Sequence, residues 1–217
     1  NEPIINVTGP SIDVQIFETY LLNVMNYQSL IATKASRIAD AARGRTILDF
    51  GARRAHGRDA AVLGARAAYI GGITGTSLVV AGKKWKIPYI GTMPHKFIQD
   101  RPSELQAFKE YAESFPHNTI LLIDTYDTIR GAKNAVTIGQ ELRKKGEDLK
   151  GVRLDSGDMV NLSKEVRKKL DEAGFKGAKI FASSDLDEFK IDDFLSKGAP
   201  IDGFGVGTAL ITGANYN

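Results

Sequence analysis

Gly151-Val152-Arg153-Leu154-Asp155-Ser156-Gly157-Asp158 is the stretch on which the reading of this chain turns. Val152 and Leu154 alternate as buried strand residues do, and the strand then breaks into a cation, two carboxylates and a hydroxyl around Gly157. Charged side chains are rarely buried without a partner or a ligand. A strand ending this way is either tied by ion pairs or shaped around something polar. Carboxylates suit Mg²⁺ or a hydroxyl-rich ligand, arginine suits phosphate, and glycine lets a backbone come close. The octapeptide alone leaves the two readings level.

Outward from it, the same pattern repeats. A helix is predicted from about Ser11 to Arg43, where Ile12, Ile16, Tyr20, Val24, Tyr27, Ile31 and Ala35 recur every three or four residues until Gly44. Strands are then predicted at 46–50, about 69–73, 87–91, 119–124, 151–155, 178–183 and 201–206. Helices are predicted between them, at about 57–68, 75–83, 102–115, 130–145, 159–173 and 187–197. The strand ends at 124, 155, 183 and 206 fall 23 to 31 residues apart, one βα unit each. Such alternation argues for a mostly parallel α/β fold, and a doubly wound sheet and a βα barrel both satisfy it.

The polar residues favour the barrel. Strand after strand reads apolar and then turns polar: Phe50-Gly-Ala-Arg-Arg54, Gly91-Thr-Met-Pro-His95, Asp124, Asp155 with Asp158, Ser183-Ser-Asp185, and Gly205-Val-Gly-Thr208. In a barrel the carboxyl ends of all strands converge on one site, whereas in an open sheet only those near the switch point do. The expected fold is an irregular TIM-like (β/α) barrel of about seven strands, with residues 1–217 forming one domain.

Composition sets the outer bounds. The chain has 217 residues, 42% of them hydrophobic, which supports a real core. A net charge of +3 does not argue for nucleic acid. Lys164, Arg167, Lys168 and Lys169 read as the solvated face of a helix whose Leu162, Val166 and Leu170 face inward. There is no cysteine, hence no disulfide or thiolate metal site, and no apolar run approaches a membrane span of roughly 18 residues. No leader is legible ahead of Asn1-Glu2-Pro3, which reads as opening on strand-like sequence, and the expected compartment is the cytoplasm. Gly213-Ala-Asn-Tyr-Asn217 ends without a capping element, so the chain reads as a piece of something longer or a trimmed product.

Each motif has a bland reading beside its chemical one. Gly203-Phe-Gly-Val-Gly-Thr208 exposes backbone N–H groups to a phosphate or is simply a tight strand-to-helix turn; it matches neither a dinucleotide fingerprint nor a P-loop. Arg53-Arg54 makes a bidentate phosphate contact or a surface ion pair. His95 is one of three histidines, structural or catalytic. Thr76 and Ser77 line a flat substrate or cap a helix. Asp124 holds a neighbouring arginine or a ligand hydroxyl. Six polar strand ends together are harder to explain as accidents.

Taken in order, Asp49-Phe-Gly-Ala-Arg-Arg54, Gly91-Thr-Met-Pro-His95, Leu122-Ile-Asp-Thr-Tyr-Asp127, Val152-Arg-Leu-Asp-Ser-Gly-Asp158, Ser183-Ser-Asp185 and Gly203-Phe-Gly-Val-Gly-Thr208 resemble the nicotinate phosphoribosyltransferases. Glu18-Thr-Tyr-Leu-Leu-Asn23 and Leu30-Ile-Ala-Thr-Lys34 in the opening helix resemble the same family. The resemblance implies a type II phosphoribosyltransferase that joins nicotinate to 5-phosphoribosyl-1-pyrophosphate. The products are nicotinate mononucleotide and pyrophosphate, in salvage synthesis of NAD. It implies Mg²⁺, and in many members coupling to ATP hydrolysis through a phosphorylated histidine at the position of His95.

By that resemblance Phe50 stacks on the pyridine ring, and Arg53 meets the nicotinate carboxylate or a phosphate. Thr76 and Ser77 lie near the base. Arg153, Asp155 and Asp158 hold ribose, pyrophosphate and Mg²⁺, with Asp155 and Asp158 as the metal ligands. Ser183, Ser184 and Asp185 continue the pocket, and Gly205, Gly207 and Thr208 cradle the 5′-phosphate. Asp155, Arg153 and His95 are the implied catalytic residues. The family also implies a homodimer or higher oligomer and a β-rich segment ahead of the barrel, which this chain is expected to lack. The alternatives are a sister reaction on nicotinamide or quinolinate, or a non-catalytic phosphate-binding barrel.

Overall fold

The computed structural model describes residues 3–213. Asn1, Glu2 and residues 214–217, on which the readings of a strand-like start and an uncapped end partly fall, lie outside them. Residues 3–10 form no strand, and Ile4, Ile5 and Val7 are exposed.

The first helix, α1, runs Ser11–Ala41. At 1.5 Å per residue it is about 46 Å long. It stops where Arg43 and Gly44 turn left-handed, with φ of 51° and 79°. Its apolar stripe is buried only in the second half, at Ile31, Ala35 and Ile38. Ile12, Ile16 and Tyr20 remain exposed.

Six parallel strands follow: β1 (Thr46–Asp49), β2 (Gly75–Thr76), β3 (Ile120–Leu122), β4 (Gly151–Leu154), β5 (Lys179–Ala182) and β6 (Gly203–Val206). The helices between and after them are α2 (Arg58–Ile70), α3 (Val79–Trp85), α4 (His95–Gln99), α5 (Glu104–Ser114), α6 (Thr128–Lys144), α7 (Met159–Glu172), α8 (Glu188–Ser196) and α9 (Thr208–Thr212). Asp127, Asp158 and Asp187 cap α6, α7 and α8 through their carboxylates, each accepting from the backbone N–H three residues on.

The sheet order is β2-β1-β6-β5-β4-β3. The last strand pairs with the first, and the order advances in one direction throughout. A doubly wound sheet reverses at a switch point, and this one does not. The order is consistent with a barrel whose ladder is interrupted between β2 and β3. On that edge Tyr89 makes one parallel bridge to Thr76, where a full strand over 87–91 is predicted from sequence.

The predicted strand at 69–73 is instead the end of α2 and a turn. Ala67 and Ala68 are buried helix residues, and Gly71 abuts α1 so closely that a Cβ would meet the Ala32 carbonyl oxygen at 2.3 Å. A short apolar run does not tell a strand from a buried helix. Pairing passes to Gly75–Thr76, so the helix predicted over 75–83 starts only at Val79. In α7, Val166 and Leu170 are buried as predicted. Arg167 leaves the solvated face: it donates to the carbonyls of Ala178 and Phe175 and pairs with Asp171 at 2.8 Å. Among the described residues, no helix is long and apolar enough to cross a membrane.

One buried ion pair fastens α1 to the rest. Lys34 is fully buried, and its ammonium lies 2.6 Å from a carboxylate oxygen of Glu188 at the start of α8. Removing one partner of such a pair leaves the other charge stranded, whereas replacing both with apolar groups does not. Lys34→Ala is therefore expected to destabilise the fold by about 3–5 kcal/mol. Lys34→Met with Glu188→Leu should recover most of that loss, read by chemical denaturation.

Candidate active site

The ends of β3, β4 and β5 lie side by side, and the residues that follow them meet. Asp155, just past β4, accepts a hydrogen bond from the Ser183 hydroxyl just past β5. Its other oxygen lies 3.3 Å from Nε2 of His95 at the start of α4. Nδ1 of His95 is 3.0 Å from the Thr125 hydroxyl. Arg153 and Asp155 are two residues apart in an extended segment and so share a face. The Arg153 guanidinium donates to the Met93 carbonyl at 2.9 Å and to Ser183 Oγ at 3.2 Å, and stands 3.6 Å from Asp155.

A second carboxylate holds this group from behind. Asp124, buried past β3, accepts from the backbone N–H of Asp155 at 2.8 Å and from the Ser156 hydroxyl at 2.6 Å. Burial holds the Arg153 guanidinium below its usual pKa; the Arg53 charge pushes the same way, while Asp155 and Asp124 oppose it. The Arg153 side chain is 11% exposed, Asp155 28% and His95 37%, so carboxylate and imidazole face solvent over a shielded cation.

The other corner gathers around Phe50. Its N–H donates to the Val206 carbonyl at 2.8 Å, and its ring covers Gly205. Phe50, Thr92, Arg153 and Gly205 line an interior cavity of about 100 Å³ that also borders β1, β3 and β5. Thr76 and Ser77 turn their hydroxyls to Asp49, at the carboxylate (2.9 Å) and the carbonyl (3.0 Å). Arg53 and Arg54 are exposed in a 3-10 turn over Ala52–Arg54. Ser184 and Asp185 are exposed, with φ of 88° and 44°. Left-handed backbone without glycine is strained and collects at functional loops. Gly207 caps α9 and Thr208 opens it.

Asp158 stands apart from the Asp155 group. It is exposed, and its two oxygens accept from the N–H and the side-chain amide of Asn161 at 3.1 and 2.7 Å. Those bonds hold its carboxyl below the ordinary pKa. Among the described residues, no three His, Asp or Glu side chains gather as a metal-ligand set. Magnesium is commonly held by one or two carboxylates together with substrate phosphates, and Asp155 fits that role. Asp158 fits it only by giving up the cap of α7.

Residues 46–217 match the family model described as nicotinate phosphoribosyltransferase. The chain belongs to the nicotinate phosphoribosyltransferase family. It is 52% identical over 213 residues to nicotinate phosphoribosyltransferase of Bacillus subtilis, covering 98% of this chain and 43% of that protein. Identity to a nicotinate phosphoribosyltransferase of Mycobacterium tuberculosis is 48% over 211 residues, covering 97% of this chain and 45% of the relative. The crystal structure of human nicotinic acid phosphoribosyltransferase superposes with a TM-score of 0.84 at 28% identity, over 92% of this chain and 51% of that one. The chain thus spans about half the length of the nicotinate phosphoribosyltransferases it matches.

Of the residues expected from sequence, the fold brings Arg153, Asp155, Ser183 and His95 into one contact group. Phe50 and Gly205 share the neighbouring cavity wall. Two buried carboxylates were not among the expected site residues. Asp124 was visible as a charge at the end of an apolar strand, with its direction open. Asp49 showed the same signal in Thr46-Ile-Leu-Asp-Phe50, masked by the aromatic and arginines that follow. A Cβ on Gly205 would stand 2.3 Å from the Phe50 ring. Gly205→Ala is expected to displace that ring and cost about 1–3 kcal/mol of stability, measurable by denaturation and visible as a moved ring in a crystal structure of the variant.

Proposed function

We propose that the protein carrying this chain is a nicotinate phosphoribosyltransferase, joining nicotinate to 5-phosphoribosyl-1-pyrophosphate and releasing pyrophosphate. The observation that carries the reading is the contact group of Arg153, Asp155, Ser183 and His95, built from three neighbouring segments and backed by Asp124. The family membership and the 52% identity to the Bacillus subtilis enzyme support the same substrate.

The chemistry suits these groups. The pyridine nitrogen forms the new bond to the anomeric carbon while the bond to pyrophosphate breaks, so the nucleophile needs no general base. Positive charge develops on the sugar ring, and the Asp155 carboxylate is positioned to stabilise it. Arg153, shielded and fixed by three neighbours, faces negative charge on the leaving group. Phe50 offers a flat apolar surface for the ring, and positioning supplies much of the acceleration. Asp155 would be the side-chain ligand of Mg²⁺, which would supply charge neutralisation for the leaving group. His95, half-exposed beside Asp155, is the residue for phosphorylation if ATP hydrolysis is coupled. The functional assembly is a homodimer or higher oligomer. A base with two carboxylates would call for more cations than Arg53 and Arg54 provide, which sets quinolinate behind nicotinate.

A steady-state assay offering nicotinate, nicotinamide and quinolinate with 5-phosphoribosyl-1-pyrophosphate tests this. Nicotinate should be the preferred base, and absence of nicotinate turnover by the intact protein would overturn the proposal. Asp155→Asn should lower kcat on the order of 100-fold or more, with a smaller change in substrate affinity. A protein that only binds phosphates would show altered affinity instead.

A further inference from the structure

We infer that Asp49 is a positioning residue that sets the base-stacking Phe50 from the opposite face of the sheet. The inference rests on reading Phe50 as the ring that receives the base. Thr46, Leu48 and Phe50 line the interior cavity, so alternation turns Asp49 outward, toward the helix layer. There it is 1% exposed. One carboxylate oxygen accepts from the Gly51 N–H at 2.8 Å, immediately after Phe50. The other accepts from the Thr76 hydroxyl at 2.9 Å. Its carbonyl receives both the N–H and the hydroxyl of Ser77, at 2.9 and 3.0 Å. One residue therefore ties the turn after β1 to the end of β2.

The turn has little room to settle differently. A Cβ on Gly51 would meet Ile211 at 2.6 Å and both Asp49 and the Gly207 carbonyl at 3.0 Å. The Phe50 ring is seated against Gly205, and its N–H is taken by Val206. A carboxylate in the helix–sheet layer is unfavourable for stability: burial pushes its pKa up, and the Gly51 and Thr76 donors only partly pull it back. An apolar residue would pack there without that cost. What it would not do is hold Gly51 and Thr76 in one arrangement. Thr76 is itself buried, its hydroxyl donating to Asp49 and accepting from the Leu78 N–H, so Thr76 acts through Asp49 rather than on a ligand.

The test compares Asp49→Ala and Asp49→Asn in the intact protein. Alanine removes both acceptors. Asparagine keeps the shape, its oxygen available to Gly51 and its amide able to donate to Thr76 Oγ1. Asp49→Ala should raise KM for nicotinate by roughly tenfold while KM for 5-phosphoribosyl-1-pyrophosphate changes by less than about twofold. Asp49→Asn should fall between Asp49→Ala and the unaltered protein, and it carries the test if the alanine variant does not fold. Amide hydrogen exchange without substrates should accelerate at Gly51, which donates to the carboxylate, and at Leu78, which donates to the Thr76 hydroxyl that the carboxylate holds, in step with the nicotinate KM. Faster exchange with unchanged KM, or an equal rise in both KM values, overturns the inference. If the unaltered protein does not turn over nicotinate, the proposed function fails instead, and exchange at Gly51 and Leu78 still decides whether Asp49 holds the turn.

Discussion

Everything at the candidate site depends on one constraint: the strands all run the same way. Parallel strands joined by helices deliver every carboxyl end to one edge of the sheet, because each crossover must return to the opposite edge before the next strand starts. The polar residues that follow β3, β4 and β5 therefore meet, although whole helices of chain separate them. Short strands suffice. Four residues from Gly151 to Leu154 aim Arg153 and Asp155, and four from Lys179 to Ala182 bring Ser183 alongside.

Charge buried beneath that edge does the holding. Asp124 and Asp49 both lie out of solvent and both accept from backbone N–H groups of the adjoining loops. Such carboxylates contribute less to stability than well-packed apolar side chains, because desolvation offsets most of what their hydrogen bonds return. Their contribution is to geometry. Lys34 and Glu188 do the equivalent between helices, fixing α1 in register where its apolar stripe alone leaves rotation and sliding open. The exposed first half of α1 has no such anchor among the described residues.

At the surface the same network presents opposite charges in layers. Arg153 is shielded beneath the more exposed Asp155 and His95, with Arg53 exposed at the edge of the sheet. The family match, the relatives in two bacteria and the superposition on the human enzyme support the fold and the family.

The parallel α/β class, most of the helices, five of the strand positions near their observed places and the residue types of the site were legible in the amino-acid sequence. These are local signals: side-chain period reports strand or helix, and a charge ending an apolar run reports a strand end. They misplace the second strand, because Ala67-Ala-Tyr-Ile70 is equally apolar as buried helix or as strand, and only packing of Gly71 on α1 settles which. Long-range packing set the one-directional strand order, the folding-back of Arg167 onto the Ala178 and Phe175 carbonyls, the role of Asp158 as a cap and the turning of Thr76 and Ser77 toward Asp49. Those outcomes depend on which neighbour reaches a polar group first, and that competition is between segments distant in the chain.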